Sequence, residues 1–153
     1  MSELKTKIRS DMTVAMKERD KERVGALRML LAAIQLEETN GSKHEITDDD
    51  VLKVIAREIK KRRESAEVYA EAGRQELADN ELAEARILSE YQPAQLDDEQ
   101  LGELVAAAIA EVKEQQGEAT MKQMGQVMKV ATARAAGRAD GKRLSAAVRE
   151  LLQ

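Results

Sequence analysis

Apolar residues recur every three or four positions along almost the whole chain, and polar breaks divide them into seven stretches. Leu4, Ile8, Met12, Ala15 and Met16 predict a helix over 2–18, with Ser2 as its N-cap. Arg19 and Asp20 interrupt the pattern, and Asp20 suits the N-cap of a second helix over 21–38. There Val24, Leu27, Leu30, Leu31 and Ile34 form one stripe. Thr39 to His44 is rich in turn formers and reads as a loop, with His44 exposed. Thr47, with Asp50 three residues on, resembles a capping box, and Asp48 and Asp49 suit the positive end of the helix that follows. On that helix Val51, Ile55, Ile59, Arg62, Ala66 and Tyr69 lie near one face. It is expected to end about Ala72, where Gly73 can adopt the left-handed backbone that closes a helix. A fourth helix over 75–90 carries Leu77, Leu82, Ala85 and Leu88, and the tight break predicts an antiparallel hairpin with the third.

Pro93 cannot continue a helix and restricts the residue before it, so Tyr91-Gln92-Pro93 marks the expected domain boundary, with Tyr91 as an aromatic plug. Beyond it, Asp97 and Gln100 form a second capping-box pattern. They open a helix over 98–115 with Leu101, Leu104, Val105, Ala108 and Val112 inward, ended by Gly117. Thr120 caps a shorter helix holding Met121, Met124, Val127 and Met128. A turn over 136–141 precedes a last helix with Leu144, Val148, Leu151 and Leu152. The predicted fold is all-α: a four-helix N-terminal bundle over 1–92 followed by a small three-helix domain over 93–153.

Composition narrows the chemistry. The 153 residues include no Cys, no Trp, no Phe, two Tyr, one His and one Pro. Without Cys there are no disulfides, thiolate metal sites or thiol catalysis. A single His leaves no imidazole pair for a metal and no evident triad. Two aromatics provide no stacking platform for bases. No apolar stretch approaches the roughly 20 residues needed to span a bilayer, and the N-terminal residues lack the apolar core of a secretory signal. A cytoplasmic protein without membrane attachment is expected. Glycine, lysine and hydroxyl residues do not fall in the phosphate-loop pattern, since Gly141-Lys142 is followed by Arg143. No catalytic residue, cofactor or metal ligand is read from the sequence.

The net charge is −4, yet it is unevenly distributed. The 122–143 segment carries Lys122, Lys129, Arg134, Arg138, Lys142 and Arg143 against one acid, Asp140. Such a local excess suits contact with a phosphate backbone, which needs local rather than overall positive charge. The same side chains can instead balance nearby acids. The 137–141 turn reads as turn chemistry, with Asp140 capping the last helix, against an anion site at that helix's start. Lys60-Lys61-Arg62-Arg63 spreads around its helix. The run reads either as a solvated, salt-bridged surface or as a contact surface, with at least one stem along the core-facing side. Met121, Met124 and Met128 read as a core stripe, the alternative being an adaptable partner groove.

Several segments together resemble the YqeY family: Ala26-Leu27-Arg28-Met29-Leu30, Glu58 through Ser65, Ala72-Gly73-Arg74, Glu90-Tyr91-Gln92-Pro93, Met124 through Lys129, and Gly137 through Gly141. Gln92 departs from the Leu usual between that Tyr and Pro. The family is similar to the C-terminal tail of one component of the Asp/Glu-tRNA amidotransferase, a tail that helps hold the tRNA. The resemblance implies a four-helix bundle followed by a three-helix domain. It further implies a non-catalytic accessory protein for tRNA or structured RNA, using Lys129, Arg138 and Lys142 on phosphates, with Gly125 allowing close helix approach. A module docking on a translation or amidotransferase component is the alternative. The family's association with glutamine-dependent carbon–nitrogen ligase activity finds no supporting residues in this chain.

Overall fold

The computed structural model describes residues 2–40 and 45–153. Residues 41–44, which include His44 and most of the stretch that the sequence reads as a loop, lie outside the described residues. Among the described residues, seven α-helices account for the architecture: α1 (Glu3–Lys17), α2 (Lys21–Thr39), α3 (Asp48–Glu71), α4 (Gln75–Ser89), α5 (Asp98–Gln116), α6 (Met124–Ala135) and α7 (Gly141–Leu152). A 3₁₀ turn, Met121–Gln123, leads directly into α6. No strand occurs among the described residues. The chain divides into two compact units, Met1–Gln92 and Pro93–Gln153.

Local chemistry sets the helix ends. Ser2, Asp20, Asp97 and Asp140 each accept a backbone N–H bond at the start of a helix. Both halves of the capping box form at Thr47–Asp50, with bonds of 3.1 and 3.0 Å. They also form at Asp97–Gln100, with bonds of 3.0 and 2.8 Å. Such caps satisfy amide donors that the helix itself cannot. Asp48 does more than favour its own helix start. It accepts from the Ser2 hydroxyl and from the Leu4 amide, and these bonds hold its carboxyl below the ordinary value. The starts of α1 and α3 are thereby joined. Gly73 and Gly117 adopt positive φ, +74° and +83°, where α3 and α5 end.

In the first unit Ile8, Leu27, Leu30, Ile34, Val51, Ile55 and Leu88 are fully buried and bring α1 to α4 around one core. Arg62 joins this core as an ion network. Its Nη1 donates to the Glu58 carbonyl and carboxylate at 3.1 and 3.0 Å, and its Nε donates to Glu84 at 3.2 Å. Glu84 comes from α4, which folds back along α3. Tyr91 packs into the same core, and its hydroxyl donates to Asp11 at 2.6 Å. Burial first, then that carboxylate, pushes its phenol well above the ordinary value.

The second unit has its own core: Leu96, Leu101, Val105, Ala108 and Val112 against Val127, Ala131, Ala135, Leu144 and Val148. The Leu96 amide donates to the Arg138 carbonyl at 2.8 Å, and the Gln95 side chain donates to the Gly137 carbonyl at 3.1 Å. The segment before α5 is thus tied to the α6–α7 turn. Three expectations need correction. Met16, Leu82 and Leu151 are exposed rather than inward, because helical period locates a stripe but not where the facing helix ends. Thr120 caps a 3₁₀ turn, not the first α-helical turn. That geometry leaves Met121 exposed, while Met124 and Met128 pack on the core.

Candidate nucleic-acid interface

The six basic residues of 122–143 divide according to their step from a buried neighbour. Arg134 precedes buried Ala135, and Arg143 precedes buried Leu144. One residue is about 100° around a helix, so both lie on a flank beside the neighbouring helix. There each meets an α5 carboxylate: Arg134 pairs with Glu111 at 3.3 Å, and Arg143 with Asp98 at 3.1 Å. Lys129 lies two positions beyond buried Val127, and Lys142 two before Leu144. Two residues turn about 200°, which places both on the outer side. Both are exposed and make no ion pair among the described residues. The same holds for Lys122 on the 3₁₀ turn.

Arg138 belongs to neither group. It is half-buried in the α6–α7 turn, where its guanidinium donates to the Ala135 and Arg134 carbonyls at 2.9 Å each. Those carbonyls close α6, so Arg138 acts as a C-terminal cap. Arg134 and Arg138 are therefore adjacent. The acids that hold Arg134 and Arg143, Glu111 and Asp98, are separated along α5 by roughly 20 Å at 1.5 Å per residue. The six cations do not share one role. Three lysines stand open, two arginines lean on acids and one closes a helix. The reading of 137–141 as turn chemistry fits these bonds, with Asp140 accepting from the Arg143 amide at 2.7 Å. No helix approaches Gly125 closely, contrary to the expectation, since a Cβ built there meets nothing within 4 Å.

The N-terminal unit holds charged features that the sequence did not reveal. A groove of about 550 Å³ runs between α1 and α2, with Arg9 and Arg28 on its walls and Met12, Leu31 and Ala32 among its lining. Arg23 binds Glu90 through two bonds, 2.7 and 3.2 Å, which lower the Glu90 carboxyl below its ordinary value. No group of three or more potential metal ligands occurs among the described residues. No helix among them is long and apolar enough to cross a membrane.

The described residues define an all-helical protein with charge displayed on its helices. The chain belongs to the YqeY-like family, whose model matches residues 5–152. It is also similar to an uncharacterized protein of Schizosaccharomyces pombe, 33 % identical over 90 residues, covering 59 % of this chain and 72 % of the yeast protein. The segments that resemble the family include much of the internal scaffolding. Arg62, Tyr91 and Arg138 all hold the fold together in the bonds described above.

Proposed function

We propose that the chain is a non-catalytic accessory protein that binds tRNA or another structured RNA through Lys122, Lys129 and Lys142, acting in the cytoplasm. We further propose that 1–92 and 93–153 are separate domains, a four-helix bundle and a three-helix domain. The observation that carries the RNA reading is the trio of exposed lysines without carboxylate partners among the described residues, within a segment of six bases and one acid. Selectivity would come from backbone shape, because the residues of an aromatic stacking platform are missing. Arg134 and Arg143 are reserve contacts. Exposed ion pairs contribute only about 0–1 kcal/mol, so a phosphate can displace Glu111 or Asp98.

The test is binding of unfractionated tRNA across a salt series from about 50 mM upward. Three phosphate contacts give a log–log slope of about −2 to −3, and Lys129→Ala reduces it by about one contact. Asp98→Asn releases Arg143 and steepens the slope by about one contact. A flat salt dependence, or no binding at the lowest salt, overturns the reading. Exposed Met29 and Leu36 on α2 support the second reading, a module docking on a translation or amidotransferase component. A stoichiometric protein partner purified without RNA would favour it. The ligase association requires glutamine- and ATP-dependent amide formation by the purified chain.

A further inference from the structure

Two surfaces of the N-terminal unit complement each other in charge. The first is the α1–α2 groove. Met12, Leu31 and Ala32 give it apolar contact area, and the Lys5–Glu38 ion pair lies within it. Arg9 and Arg28 flank it, both exposed and both without an ion pair among the described residues. The second surface is on α3. Glu64, Glu67, Val68 and Glu71 follow the i, i+3, i+4, i+7 spacing and so share one face of the helix. Val68 is 64 % exposed in its middle. The three glutamates are exposed and make no ion pair among the described residues.

We propose that this groove receives the 64–71 face of α3 from a second copy of the chain. A helix laid into a groove between two helices presents anchors at this spacing. Val68 then covers the apolar lining, and Glu64 and Glu71, on either side of it, face Arg9 and Arg28. The occupant is a second copy because the acidic, apolar-centred face that matches the groove is on the chain itself. The contact is made twice around a two-fold axis, each groove taking the other copy's α3 face, and so closes a dimer. The contact is independent of the RNA reading, since it uses none of the lysines of α6 and α7.

Sedimentation equilibrium of the full chain, up to a few hundred micromolar, tests it. The expected result is a monomer–dimer equilibrium that weakens about tenfold from 50 to 300 mM salt. Arg9→Glu with Arg28→Glu makes both surfaces acidic. Glu64→Arg with Glu71→Arg makes both basic. Each doubly substituted chain alone is expected to be monomeric, and a 1:1 mixture of the two is expected to dimerise. Arg9→Gln with Arg28→Gln weakens the association of that chain alone. All four positions are exposed, so far-UV circular dichroism should be unchanged. A wild type that stays monomeric, an open-ended series of larger species, association insensitive to the substitutions, or no recovery on mixing overturns the proposal.

Discussion

Arg62 sits among four consecutive cations yet is 3 % exposed, while Lys60, Lys61 and Arg63 face solvent. Consecutive helical residues step by about 100°, so a run of four cannot avoid the core side of its own helix. Its place beside Val51, Ile55, Ile59 and Ala66 was legible from spacing, and Glu58 stands four residues earlier, one turn away. Glu84 was not, because it comes from another helix. Removing the guanidinium leaves Glu58, 7 % exposed, without its main partner. Arg62→Ala should therefore destabilise by about 3–5 kcal/mol in urea unfolding. Arg62→Met combined with Glu58→Leu should cost much less, because the whole buried pair is then apolar. An equal loss in both variants would show that the ion network is not the source of the effect. The basic residues of 122–143 obey the same logic. Their positions were legible, but which of them stand open depends on where α5 places Asp98 and Glu111.

Helix starts were the most readable elements, since a cap and its amide donors are neighbours in sequence. Ser2, Asp20, Thr47, Asp97 and Asp140 all act as the residue types and spacing suggest. Helix ends closed by distant partners were not readable. Glu90, just beyond α4, is held by Arg23 of α2 across 67 residues of sequence. Its carboxyl lies below the ordinary 4.5 because the ionised form accepts the guanidinium bonds. A carboxyl lowered in the folded state adds stability above its unfolded value, and that stability is lost as pH falls through the folded value. Thermal unfolding of Glu90→Gln should thus lie below wild type above about pH 5, with the gap closing on acidification. A gap that is constant with pH would remove this pair from the stability of the helix end.

The chain as a whole is two cores joined at Gln92–Pro93. Tyr91 is fastened within the first unit by Asp11, and Leu96 within the second by the Arg138 carbonyl. Between them lies exposed Ala94, on backbone without regular structure. Elastase-class cleavage after Ala94 should release two fragments that keep helical circular dichroism and unfold separately. Loss of helix from both fragments on cleavage would refute separate domains. The sequence by itself determined that the chain is helical, where most of its helices begin and that residue 93 interrupts it, because propensity, capping and proline act over a few residues. Tertiary structure alone decided which cations stand free, which one is buried and where a groove opens. Those outcomes depend on partners brought together from distant helices.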